Sequence, residues 1–458
     1  MSTLENSINT VNDYINNIVW GVPAIVCIIA VGLFLSARLG FFQITKIPTI
    51  WRNTIKKLLV KTDDKNKFST AEAALVSLGE VVGSGNIAGV ATAVVAGGPG
   101  AIVWMWIAAI LGMATKFSEI VLGIMYKQKN PDGSIKGGPM YYLNEGVGSK
   151  FLAGLYALLC MMSYIIIVAM VDTNTIVDVV TTKFESVPNY AVAAVLIVIV
   201  GIVTFGGIKK LGGFSGWFVP VMGVLYIFMG ILVILAHPGM AGKAFGTIVG
   251  AAFKPQAAAG GFAGATVAQI MRYGFARGIY SNEAGLGTSA FPHAAADTDH
   301  PARQALWAPV EICIDTLIVN TITGLVVVMA GMWTSGSDGA GLAMESFGKL
   351  IPGVGEVLIF IAAIMFSMSC LTSASYVCEQ AAEFLFGEGS KKAIKFLWLA
   401  FIAIGAMTSL ELVWNLADTI NGLMLIPNLI GLVILSKKVV DAKKDFFAKE
   451  EKKGEKTA

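Results

Sequence analysis

Apolar residues run along this chain in stretches longer than a soluble helix or strand uses. Eleven segments stand out, at about 18–37, 70–96, 99–126, 151–180, 188–207, 215–236, 262–290, 306–333, 354–378, 393–411 and 413–436. Crossing a bilayer takes about 20 apolar residues, so each can span, and the longer ones allow tilt or unwinding. Between the first two, residues 41–61 alternate Phe42, Ile47, Ile50, Trp51, Ile55 and Leu58 with Lys46, Arg52, Lys56 and Lys57, the pattern of a helix lying along the headgroups. The expected fold is all-α: a polytopic membrane protein of about eleven transmembrane helices.

Composition agrees. The 458 residues are 55% hydrophobic and 14% charged, against about 25% charged in soluble domains. A net charge of +3 provides no field for a polyanion, so nucleic acid is not an expected partner. Cys27, Cys160, Cys313, Cys370 and Cys378 all lie in apolar stretches, without metal-ligand spacing or a disulfide framework. No Lys or Arg precedes Arg38, so the start lacks the basic region of a cleavable signal peptide and is expected to be retained. The longest polar segment, about 37–68, is too short for a soluble catalytic domain. Lys and Arg then orient the chain. With the N-terminus outside, 26 of them fall on the cytoplasmic side and four opposite. The basic tail, 437–458, is expected in the cytoplasm, solvated or near anionic lipid.

Two spans are interrupted. The second contains Gly83-Ser84-Gly85-Asn86 with Gly79 and Gly89; the seventh contains Gly274, Arg277-Gly278 and Ser281-Asn282-Glu283-Ala284-Gly285-Leu286-Gly287. They open two successive groups of five spans. Glycine-interrupted segments at matching places in two halves point to inverted repeats with a site between them. Unwinding frees backbone groups that must be satisfied at membrane depth, and a bound zwitterion and cation can do so. Taken singly, such a run also suits close packing through small residues; the pairing favours a site. The organisation expected is 1–68 as an extra helix plus interfacial helix, 69–236 and 237–436 as the repeats, and 437–458 as the tail.

At these residues the sequence resembles the alanine or glycine:cation symporter family, which has the leucine-transporter fold. The matching stretches are 83–91 running into 97–101 and Trp104-Met105-Trp106; Gly112-Met113-Ala114-Thr115-Lys116 with Glu119; 137–143; 277–287 with His293-Ala294-Ala295-Ala296; and Asp418 with Ile426-Pro427-Asn428-Leu429. The resemblance implies a five-plus-five inverted-repeat core with one added N-terminal helix. It also implies sodium-driven uptake of alanine or glycine across a prokaryotic cytoplasmic membrane, with sodium as the co-transported ion. The fourth span departs from the family pattern at Asp172, and the ninth at 366–376, where Ala374 stands in place of an aromatic.

Candidate roles follow. Gly83, Ser84, Gly85, Asn86, Asp172, Met271, Gly274 and Ala374 are the substrate candidates. Gly79 and Val82 could offer carbonyl oxygens to sodium, and Asn86, Asn320, Ser369, Thr372 and Ser373 side-chain oxygens. Membrane-helix hydroxyls often bond their own i−4 carbonyl instead. Asp172 is an ionisable group at mid-span, which costs about 2.5–3.5 kcal/mol on insertion scales; it calls for a role with substrate ammonium, cation or proton, or for a hydrogen bond to Asn174 or a hydroxyl. Lys116 and Glu119, spaced i,i+3, are expected to pair. Arg277 and Glu283, near the inward end of the second break, read as gate residues, Ser281 and Asn282 as helix caps, and Arg272 as a snorkelling side chain. His293 and His300 fall in an inward loop without an expected role.

No nucleotide motif and no nucleophile–base pair or metal-ligand helix motif appears, so neither an ATP-driven pump nor an enzyme is expected. A channel needs a continuous polar lining, whereas polar groups here gather at two breaks. A proton-coupled carrier, or one for a larger neutral amino acid such as glutamine, is the alternative within carriers. Oligomeric state is not readable.

Overall fold

The computed structural model describes residues 3–58, 68–131, 133–257, 260, 262–408 and 410–455. Among the described residues the regular structure is helical, apart from a two-stranded hairpin of β1 (Gln128–Lys129) and β2 (Ile135–Lys136) and a single bridge between Gln256 and Ala265. In order, the main helices are α1 (Thr3–Val19), α2 (Val22–Arg38), α3 (Thr70–Val81), α4 (Ala88–Gly97), α5 (Ala101–Met125), α6 (Lys150–Lys183), α7 (Asn189–Thr204), α8 (Gly207–Ala236), α9 (Pro238–Ala251) and α10 (Val267–Asn282). Then follow α11 (Pro301–Ala330), α12 (Gly339–Leu350), α13 (Gly355–Phe386), α14 (Ser390–Gly405) and α15 (Leu410–Glu455).

Six described helices are long and apolar enough to cross a membrane: α5, α6, α8, α11, α13 and residues 413–452 of α15; the bent pair α1–α2 makes a seventh. The expected eleven is not reached by that measure. The second and seventh spans are broken into pieces, and α7 and α14 have 16 residues each. Two helices, α9 and α12, appear in segments taken as outer loops. Asp338 caps α12 by accepting the Gly339 N–H (2.6 Å), and Leu342, Ala343 and Phe347 bury its inner face, so α12 is part of the core.

The interfacial stretch is three short helices, Phe42–Thr45, Ile47–Asn53 and Ile55–Leu58; residues 59–61 lie outside the described chain. Trp51 and Ile47 face outward while Phe42 is buried on Phe117, ring centroids 4.4 Å apart. The basic tail differs from expectation too: α15 continues as one helix to Glu455, with Val439 and Phe446 buried.

The capping box of Ser69 and Glu72 starts α3, each side chain bonding the other's backbone N–H. An equivalent box of Thr266 and Gln269 starts α10. α10 packs closely against α5. A Cβ on Gly274 would meet Trp104 Cβ at 2.5 Å, and one on Gly112 would meet Ala284 Cβ at 2.7 Å. Small residues thus set the separation of the seventh span from α5.

Candidate functional site

Both expected breaks are present, and the hydrogen bonds explain what each exposes. Had α3 continued, the amides of Gly83, Ser84 and Asn86 would have closed onto the carbonyls of Gly79, Glu80 and Val82. Instead Gly83 N–H donates to Asn86 Oδ1 (2.9 Å), Ser84 N–H to Asp172 Oδ1 (3.0 Å) and Asn86 N–H to Gly83 O (3.2 Å). The three carbonyls therefore lose their helical donors at the centre of the protein. A cation or substrate ammonium is the kind of group that replaces them.

The second break starts at Glu283, which sits in the left-handed region at φ 58°, and continues through Gly285 (φ 99°) and Gly287 (φ 84°) to a short helix, Ala290–Ala294. Glycine is needed at 287, since a Cβ there would meet Pro139 at 2.4 Å. Glu119 holds the loop, accepting from Gly285 N–H (2.9 Å), Gly287 N–H (3.1 Å) and Asn428 Nδ2 (2.7 Å). Asn428 Nδ2 also reaches Gly285 O (2.6 Å), and Tyr156 donates to Leu286 O (2.7 Å).

Between the breaks is a small, water-sized cavity lined by Glu80, Gly83, Ser84 and Gly85, by Tyr164 and Asp172 of α6, by Tyr280, Glu283 and Leu286, by Cys370 of α13 and by Asn421 of α15. Asp172 is 1% exposed; its Oδ1 holds the Ser84 amide and its Oδ2 has no hydrogen-bond partner. Asn174 is not its partner, donating instead to Thr408 O (2.7 Å).

Asn86 points away from this cavity into a buried polar cluster. Its Nδ2 meets Asp315 Oδ1 (2.6 Å), Asn320 Oδ1 (2.8 Å) and Ser281 Oγ (3.1 Å). Ser281 donates to Asp315 (2.9 Å), as does Thr316 (2.6 Å), while Asn282 meets Thr316 Oγ1 (3.0 Å) and caps Ala284 N–H (3.0 Å). Asp315 carries the cluster's charge. Residues 313–320 form a π-helical stretch of α11, and its i→i+5 turns bring Asp315 and Asn320 together on one face.

Gly79 sits on α13. A Cβ there would meet Ser369 Oγ at 2.8 Å and Ser373 Oγ at 3.1 Å. The Ser369 hydroxyl is buried without a partner. Thr372 differs, donating to its own helix at Met368 O (3.0 Å) and Ser369 O (2.9 Å).

Other expectations are corrected. Gly274 faces α5, and Met271 packs in an apolar cluster away from the cavity lining. Ala374 is fully buried one turn beyond Cys370, which is the α13 residue that lines the cavity. Lys116 does not pair with Glu119: it reaches across to Glu311 (3.0 Å) and Asn282 O (3.2 Å). His293 is not a solvent loop residue; it is buried between Glu311 (2.8 Å) and Gln304 (2.8 Å). Arg277 and Glu283 do not face each other. Arg277 pairs with Asp418, its guanidinium 4.5 Å from the Trp414 ring centroid, and Tyr280 packs on the same ring at 4.9 Å. Glu283 instead accepts from Thr288 (2.6 Å) and Tyr164 (3.1 Å). Arg272 docks on Asn16 and Asn17 of α1 (2.7 Å each).

A model of the sodium:alanine symporter family matches residues 5–458. The chain belongs to that family. It is 41% identical over 450 residues to the sodium/alanine symporter AgcS of Methanococcus maripaludis, covering 96% of both chains. A probable sodium/glutamine symporter of Bacillus subtilis, GlnT, is 34% identical over 94% of this chain and 89% of its own. A putative sodium/proton-dependent alanine carrier of the same organism, YrbD, is 31% identical over 96% and 92%. Among solved structures, MhsT in complex with L-phenylalanine superposes with a TM-score of 0.60 at 16% identity, over 83% of this chain and 92% of its own. The fold is thus leucine-transporter-like. As a member of this symporter family the chain is a multi-pass membrane carrier of amino acids, and not an enzyme.

Proposed function

We propose that this carrier couples sodium to the uptake of a small neutral amino acid, alanine or glycine, across the cytoplasmic membrane of a prokaryote by alternating access. The carrying observation is the release of the Gly79 and Val82 carbonyls at the first break, beside Ser369 and Ser373 of α13. Sodium is a hard cation that takes neutral oxygens, and carbonyls at a discontinuous helix are such ligands. Asn86, Asn320 and Ser281 with Asp315 offer a second oxygen cluster. The amino acid lies between the breaks, near Ser84 and Gly85, with its ammonium toward the unpartnered Asp172 Oδ2.

The two groups of five spans, 69–236 and 237–436, act as the repeats that rock about this site. Arg277, Asp418, Trp414 and Tyr280 form the closed gate on one side. On the other, an open cavity is lined by Lys209, Tyr376, Glu379 and Lys391. The distribution of Lys and Arg along the sequence supports a reading with that side in the cytoplasm and the N-terminus outside.

A second reading, for glutamine or with proton coupling, is favoured by one observation. Cys370 is the α13 residue that lines the cavity, and a buried acid, Asp172, lines it too. The deciding experiment is labelled alanine uptake into proteoliposomes under an inward sodium gradient, compared with potassium and with a proton gradient. Concentrative, sodium-dependent uptake supports the first reading. Uptake driven by protons alone, or competition by glutamine without alanine uptake, supports the second.

A further inference from the structure

Glu80, the second-last residue of α3, and Glu283, the first of the other break, meet at a single phenol. Tyr164 Oη lies 2.5 Å from Glu80 Oε1 and 3.1 Å from Glu283 Oε1. All three side chains are buried. A tyrosine hydroxyl owns one hydrogen, and an ionised carboxylate only accepts. Two carboxylates around one phenol therefore make one hydrogen bond and one lone-pair repulsion. Both contacts are hydrogen bonds when one carboxyl carries a proton.

We infer that the Glu80–Tyr164–Glu283 bridge is a binding site for one proton, joining the two helix breaks. Partner counting places the proton on Glu80. Glu283 has a second donor, Thr288 (2.6 Å), and is the better-stabilised anion; Glu80 Oε2 has no partner at all. The chain of donation runs from the Glu80 carboxyl to Tyr164 Oη, and from the Tyr164 hydroxyl to Glu283. The titratable groups facing the pair are Lys116 of α5, Glu311 and Asp315 of α11, Cys160 of α6 and Cys370 of α13. Lys116, the cation among them, is engaged with Glu311 and Asn282 O. Removing the proton puts two anions on one phenol in a low-dielectric interior, so deprotonation drives the breaks apart.

The test is infrared spectroscopy of the purified full-length protein, in H₂O and D₂O, in sodium buffer and in sodium-free potassium buffer. At pH 7, wild type is expected to show a protonated-carboxyl band sensitive to deuterium in both buffers. Glu80→Gln supplies the bridging hydrogen from its amide and should lose that band; Glu283→Gln lets Tyr164 donate to Glu80 and should lose it as well. Tyr164→Phe covers the case in which a glutamine variant does not fold, and should shift or abolish the band. Equal band intensity in wild type and every folded variant would overturn the inference, as would absence of the band in wild type. A band present in potassium but lost in sodium overturns it too, since the pair would then be a cation site. None of these readings depends on transport: failure of alanine uptake with the band intact counts against the substrate assignment alone. Where uptake is measured, wild type should lose activity toward alkaline pH, and Glu80→Gln should flatten that profile.

Discussion

Asp172, in the middle of α6, holds the backbone N–H of Ser84, which lies in the gap between α3 and α4, at 3.0 Å. One oxygen of the carboxylate thus replaces the turn that α3 fails to close, and the other faces the cavity. Substitution by asparagine keeps an acceptor for Ser84 while removing the charge. If the substrate ammonium binds here, Asp172→Asn loses a charge-assisted hydrogen bond of about 1.5–3 kcal/mol. The apparent affinity for alanine, measured by equilibrium binding or uptake, should fall roughly 10- to 100-fold. An unchanged KM and maximal rate would remove Asp172 from the substrate site.

The hydroxyls of α13 should separate by their present partners. Ser369 has none and Ser373 has a 3.5 Å contact with Ser215, whereas Thr372 is satisfied twice by its own helix. Ser369→Ala and Ser373→Ala are each expected to raise the sodium concentration for half-maximal uptake roughly tenfold, the loss of about one hydrogen-bond-strength contact. Thr372→Ala should move it less. Identical sodium curves for all three would dissociate this seam from coupling.

Gly79→Ala should be damaging in a way composition alone does not foresee. The new methyl would stand 2.8 Å from Ser369 Oγ and 2.9 Å from Val219 Cγ2. Overpacking of this kind costs about 1–3 kcal/mol. A lowered unfolding temperature in detergent and lost uptake are expected, against no loss for Gly154→Ala or Gly223→Ala, where nothing lies within 4 Å of the added atom.

Lys116 is fully buried and neutralised by Glu311, which His293 and Ser77 also contact. Lys116→Met strands the carboxylate, a change that costs about 3–5 kcal/mol for buried pairs. The double variant Lys116→Met/Glu311→Gln should recover part of the lost thermal stability. If Lys116→Glu119 pairing were the important contact, changing Glu311 would bring no recovery.

The large features were legible because they rest on composition. Long apolar runs specified membrane helices, and glycine beside Asn86 and around Glu283 marked both breaks, since two such runs stand at matching places in the two halves. The missed residues share a different cause. Asp315 sits five residues before Asn320, and a 3.6-residue period puts them on different faces; a π-helical stretch reunites them. Lys116 has Glu119 within one turn, yet Glu119 is committed to two backbone N–H donors of the second break and to the Asn428 amide of α15. Glu80 and Tyr164 belong to separate spans, and no local spacing announces their meeting. Gly274 and Met271 share a helix with the break, but Gly274 faces α5 and Met271 packs in an apolar cluster, because only the end of α10 reaches the cavity.

α15 has a mechanical consequence. Asp418, which pairs with Arg277 at the gate proposed above, and Glu450, which Arg52 and Arg303 contact at 3.3 Å each, are carried by the same rod. About 32 residues separate them, roughly 48 Å along a helix axis, with Pro427 as its one joint. Loosening the grip on Glu450 therefore frees the far end of the lever that positions Asp418. If Arg277 and Asp418 form that gate, ionic strength around the tail becomes an input to it.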